Sequence, residues 1–199
     1  HQKYPNEGLL HIESDVLILP AFPFKELENE KKLIWTKYNL THDVSALLFS
    51  PNLENSKWLV SEIESALKVD HSLTDMTVLS KIRKLYPNKV DSFPSVTDAL
   101  NKRLNAAYDS AAFGMWLCGR DPRNHYGHLK LHLNDEFING SIDFNPASFE
   151  YKYSPALGLQ VENHSQPIAL YCLHIHSKDL RLFSETWESS LANFVNLSA

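Results

Sequence analysis

Long apolar runs are missing from this 199-residue chain. No stretch reaches the ~18 apolar residues of a membrane-spanning helix, and no opening segment reads as a secretory leader, so a cytoplasmic location is the expectation. Cysteine is scarce: Cys118 and Cys172 each stand alone in an apolar segment. That fits buried thiols rather than a disulfide framework, although the pair leaves room for one bridge. Positive charge is in deficit. Nineteen lysines and arginines face 24 aspartates and glutamates, and the net charge of -5 has no basic face to offset it. A nucleic-acid backbone is therefore not expected as the main partner. Internal repeats and low-complexity stretches are absent as well.

What is present is ordinary for a globular protein, with 43% hydrophobic and 22% charged residues. The length suits a single domain, residues 1–199, with a sizeable core. The chain opens on His1 and enters its first apolar run within about ten residues, so an excerpt of a longer protein is expected. Asn-x-Ser/Thr triplets at Asn39, Asn139, Asn163 and Asn196 are too common by chance to place anything.

The pattern along the chain predicts an α/β fold. Residues 8–19 read as one buried strand, followed by a proline-broken aromatic loop at 21–24. A short apolar run surrounds Leu33-Ile34-Trp35, and residues 44–50 form a core strand ended by Pro51. Residues 52–68 form an amphipathic helix with Leu59, Ile63, Ala66 and Leu67 on one stripe. Thr74 caps a second helix, with Met76, Leu79, Ile82 and Leu85 at three-residue steps before Pro87. Ser95 caps a short third helix reaching about Leu104, and residues 109–117 form a fourth that ends at Gly119. Residues 120–140 read as a long loop with a strand near its end. A short edge strand follows at 149–153, a last buried strand at 168–174, and a closing helix at 179–197 with Phe183, Trp187, Leu191 and Phe194 inward.

Two charged clusters stand out against this frame. Glu13 and Asp15 lie two residues apart inside the first apolar run, and His174 and His176 lie two apart at the close of the last. Residues i and i+2 of a strand share a face, so each cluster is expected to aim two ligand-type groups one way. Carboxylates from one strand and imidazole from another suit a divalent cation. Lys178, just beyond, suits a phosphate. A plainer role competes with this, in which solvated charges end a strand and the histidines are simply hydrogen-bonded. His125, His128 and His132 have helical spacing for zinc, but Pro122 and Gly127 oppose a helix there, so a solvated loop is the better reading.

The segment His11-Ile12-Glu13-Ser14-Asp15-Val16 resembles the acidic metal motif of nucleotide-sugar-dependent glycosyltransferases with the GT-A fold, and the chain as a whole resembles their C-terminal portion. Thr74-Asp75-Met76 is placed like the acidic catalytic position of inverting members. Residues 109–114 and 117–124, with Leu173-His174-Ile175-His176-Ser177-Lys178, resemble an uncharacterised bacterial and viral transferase group. The resemblance implies a GT-A-like mixed central sheet flanked by helices, lacking the N-terminal βαβ units that bind the nucleotide base. It also implies a hexosyltransferase-like enzyme, incomplete in this chain, that moves a sugar from a nucleotide-diphosphate donor to a glycan or other hydroxyl acceptor.

Under that resemblance Mn²⁺ or Mg²⁺ neutralises the leaving diphosphate. Asp15 and His176 are its expected ligands, Glu13 assists directly or through water and the ribose, and His174 is an alternative ligand or an orienting neighbour. Ser177 and Lys178 would face the departing diphosphate. Asp75 is the first choice for the base that takes the acceptor proton, and Asp109 the second. Each has a plainer role at a helix start, as dipole complement or cap. Asp121, Arg123 and Asn124 suit an acceptor or phosphate, or merely a turn around Pro122. Trp116 and Tyr126 suit stacking on a sugar ring, although a tryptophan on an apolar helix, as Trp116 is, more often belongs to the core. The rivals are a metal-dependent hydrolase using the same Asp/His cluster and a non-catalytic module that binds a glycan or a partner.

Overall fold

A computed structural model describes residues 6–38, 41–117, 148–162 and 167–174, with the backbone alone at 115–117. The first apolar run is not one strand. It breaks into β1 (Leu9–Ile12) and β2 (Val16–Ile18), with a turn at Ser14-Asp15 between them. The two strands join different sheets, β1 pairing with β4 (Asp43–Ser50) and β2 with β10 (Cys172–His174). Nor is the run uniformly buried, since Leu9 and Ile12 on β1 are exposed. Adjacent carboxylates resist burial, and the chain turns where they fall.

The described residues divide into two compact units. One comprises the residues up to Glu13 together with Pro23–Phe93, and the other comprises Ser14–Phe22 with the residues from Pro94 onward. The first unit holds a four-stranded mixed sheet in the order β1-β4-β3-β5, with β3 at Leu33–Lys37 and β5 at Val90–Phe93. Strand β4 runs antiparallel to both β1 and β3, whereas β5 is parallel to β3. The expected loop at 21–24 instead leads into a short helix, α1 (Phe24–Leu27).

Helix α2 (Leu53–Val69) starts one residue later than expected, because Asn52 is its cap, accepting the Asn55 N–H through its side chain. Helix α3 (Asp75–Leu85) starts with a reciprocal capping box between Thr74 and Thr77. Leu59, Val78, Leu79 and Ile82 pack on Leu33, Trp35 and Val90. The stripe expected on α3 is corrected by its ends: Val78 is buried in the core while Leu85 is 71% exposed. Three-residue steps turn by about 300° each, so after three steps the pattern has moved to the opposite face.

In the second unit a mixed sheet runs β6-β9-β8-β7, with β6 at Ala106–Ala107, β7 at Glu150–Ser154, β8 at Gly158–Glu162 and β9 at Pro167–Leu170. Strand β7 lies at the edge, as its sequence suggests. The last apolar run is two strands rather than one. At Tyr171 the chain changes partners, from β6 and β8 along β9 to β2 along β10. Helix α4 (Val96–Lys102) carries a Ser95–Asp98 capping box, and α5 spans Ala112–Leu117. Leu19, Phe113, Leu159, Val161, Ile168, Leu170 and Leu173 form this unit's core.

The α/β expectation therefore holds, with mixed sheets flanked by helices. The strands, however, are shared among two four-stranded sheets and the β2–β10 ladder rather than one central sheet. Among the described residues no helix is long and apolar enough to cross a membrane.

Candidate metal centre

Among the described residues of the second unit, Asp15, Asp109 and His174 gather at one end of the β2–β10 ladder. In its antiparallel register His174 sits opposite Val16, the residue directly after Asp15. The turn that precedes β2 thus delivers Asp15 beside the last residue of β10. His174 Nε2 lies 3.8 Å from Asp15 Oδ1, the imidazole almost wholly buried and the carboxylate 22% exposed. Two donors held ~2.0–2.2 Å from one ion are at most about 4.4 Å apart, so the pair can share a cation and leave its solvent side open.

Behind this pair lies Asp109, which is 2% exposed. Its Oδ1 accepts the N–H groups of Ala111 (3.2 Å) and Phe113 (3.0 Å). Its Oδ2 accepts those of Gly114 (2.7 Å) and of His174 itself (3.2 Å). To close around the carboxylate the backbone takes φ 104° at Ala111, a conformation that costs a non-glycine residue about 1–3 kcal/mol. Burial pushes the Asp109 carboxyl up to about 6, against the opposing pull of its four backbone donors. The Cys172 thiol points at the Asp109 carbonyl oxygen, 3.9 Å away. Burial first, and the Asp109 charge second, push that thiol far above its ordinary range. Cys172 is a buried, inert thiol, as its apolar setting suggests.

The residues singled out from sequence fare differently. Asp15 and His174 come together, but not through a shared strand face: Glu13 and Asp15 lie outside any strand, and the meeting is made by the ladder register. Glu13 belongs to the first unit, where its carboxylate accepts the Ser45 hydroxyl at 3.0 Å and its N–H bonds Ala46. Asp75 lies exposed in the first turn of α3, also in the first unit. Asp109 precedes α5 rather than beginning it, and its oxygens face inward on N–H groups. Arg123, His176, Ser177 and Lys178 lie outside the described residues, as do Cys118, Asp121, Asn124, His125, Tyr126, His128, His132 and the 179–197 helix. So does the Trp116 side chain.

Sequence reasoning missed the hold of Asp109 on four N–H groups, because no pattern of residue types marks it. It also missed a cavity of about 390 Å³ in the first unit, lined by Leu10, Phe24, Leu27, Phe49 and Asn52 among others. None of the proposed site residues lines that cavity. No protein-family model, curated protein or solved structure matches this chain.

Proposed function

We propose that Asp15 and His174 hold a divalent cation, and that the chain is a metal-dependent glycosyltransferase of GT-A-like architecture acting on a nucleotide-diphosphate sugar. The observation that carries this reading is the 3.8 Å approach of a partly exposed carboxylate to a buried imidazole at the end of a ladder. A carboxylate and an imidazole form a mixed O/N donor set that suits Mn²⁺ or Mg²⁺, with a solvent-facing side on which a ligand can bind. A cation there supplies Lewis-acid neutralisation of the diphosphate that departs from the donor sugar. Asp15 and His174 fix its position. The substrate class comes from the sequence resemblance, in which Glu13 and the run His176-Ser177-Lys178 neighbour these two residues along the chain.

Calorimetric titration of Mn²⁺ into the full chain, with and without UDP or GDP, tests this. Binding that is strengthened by one nucleotide and abolished in Asp15→Ala and His174→Ala is the expected result. Metal bound with no coupling to either nucleotide favours a hydrolase that uses the same pair on water. No metal bound at all overturns the site and leaves a non-catalytic module.

A further inference from the structure

We infer that Asp109 is the positioning residue of this centre, holding His174 in place through its backbone, and is neither a ligand nor the catalytic base. The inference rests on the reading of Asp15 and His174 as a metal pair. The β2–β10 ladder that presents His174 is three residues long and two strands wide. Such a ladder is marginal by itself, so the orientation of its last residue depends on what holds its outer side. That hold is Asp109. Its Oδ2 accepts the His174 N–H at 3.2 Å and, with the same atom, the Gly114 N–H at 2.7 Å. Its Oδ1 accepts the Ala111 and Phe113 N–H groups, and its carbonyl oxygen faces the Cys172 thiol.

Two residues of β10, Cys172 and His174, are therefore tied to one side chain and its own backbone, and through it to the start of α5. Among the described residues the hydrogen bonds of the carboxylate all come from backbone N–H donors, so both oxygens are engaged on the structure around them. The backbone is strained at Ala111, one of the four donors, with φ 104°. Side chains that hydrogen-bond the ring of a metal-ligating histidine change metal affinity by about 10–100-fold when altered, and the hold on the His174 backbone is expected at the lower end of that range.

Co²⁺ serves as the probe, because its visible d–d bands report the arrangement of the ligands. For the wild-type chain we expect binding with a defined spectrum. Asp109→Asn keeps the shape but turns an NH₂ toward two of the four N–H donors. We expect its Co²⁺ affinity to fall at least about tenfold and its d–d bands to shift, with an unchanged far-ultraviolet circular dichroism spectrum. Ile168→Val trims the buried core on β9 without touching Asp109, and is expected to keep the wild-type affinity and bands.

Equal affinity and bands for Asp109→Asn and wild type would overturn the positioning role while leaving the metal pair intact. A similar loss in Ile168→Val would do the same, since general loosening would then explain both. Failure of the wild type to bind Co²⁺ would overturn the metal reading itself, and this inference with it. If Asp109→Asn does not fold, amide exchange of the metal-free wild type decides. Protection of the His174 amide on a par with buried Leu173 supports the positioning role, and exchange at the rate of an exposed amide overturns it.

Discussion

Asp43 and Arg83, forty positions apart, meet as a two-point ion pair in the first unit, with Nε–Oδ2 at 2.6 Å and Nη2–Oδ1 at 2.8 Å. Asp43 is fully buried at the start of β4, and its Oδ2 also accepts the Trp35 indole N–H at 2.8 Å. One carboxylate thus joins β4, β3 and α3, next to the irregularity in the β3–β4 ladder between Trp35 and Thr36. We expect Arg83→Ala to destabilise the protein by about 3–5 kcal/mol, because it strands a buried charge. Arg83→Lys restores only part of this, since a single ammonium cannot reproduce the planar fork. Replacing both partners by apolar residues should cost less than removing either one. Urea denaturation of the wild type, the single variants at Asp43 and Arg83 and the double variant checks the order.

Much of the secondary structure was legible because its signals are local. Asn52, Thr74 and Ser95 each stand where a side chain must satisfy an orphan N–H, and each does so. The apolar run at 44–50 and the edge segment near 150 were legible for a similar reason, since neighbouring residues alone state the pattern. Partner exchange is not local. Nothing in the composition of the runs around Ser14 and Tyr171 says that the chain leaves one sheet for another there. Strands β5, β6 and β8 are short, two to five residues, and give too little periodicity to read. The candidate site divides the same way. Asp15 and His174 are ligand-type residues and can be singled out by type, whereas the role of Asp109 lies in the backbone groups it accepts.

Cys172 should resist thiol reagents in the folded protein. It is 1% exposed, and burial together with the Asp109 charge keeps the thiolate, the reactive form, out of reach. Alkylation followed by mass mapping of the Cys172 peptide is expected to show labelling at least about a hundredfold slower in native buffer than in denaturant. Comparable rates in both would mean that β10 is open to solvent.

Gly158 opens β8 just after the turn at residues 155–157, with φ +71°. A Cβ at this position would lie 3.0 Å from Pro20 Cδ and 3.3 Å from Leu19 Cβ. Strain and crowding therefore add, and Gly158→Ala is expected to destabilise by about 1–3 kcal/mol, seen as a lowered urea midpoint with an unchanged slope. Because Leu19 follows β2 directly, the same substitution should also weaken the hold on Asp15. A Co²⁺ titration of this variant is expected to show a smaller loss of affinity than Asp109→Asn.

Asp109 makes the stability of the metal-free protein depend on pH in an unusual direction. Its carboxyl is raised from the ordinary 3.8 to about 6, so between those values the folded state holds a proton that the unfolded state has released. Stability rises with pH only where the unfolded state binds more protons, and here it binds fewer. The contribution of Asp109 is therefore fully present below about pH 4, is lost as pH rises toward 6, and is flat above that. About two pH units correspond to roughly 3 kcal/mol across this window. Other carboxylates titrate over the same range, so the contrast to measure is wild type minus Asp109→Asn, which cannot titrate. Urea unfolding of both in EDTA from pH 4 to pH 8 should show the wild-type advantage shrinking up to about pH 6 and constant beyond it. An advantage that grows with pH would mean that the four N–H donors outweigh burial, and that the carboxylate is held as the anion throughout.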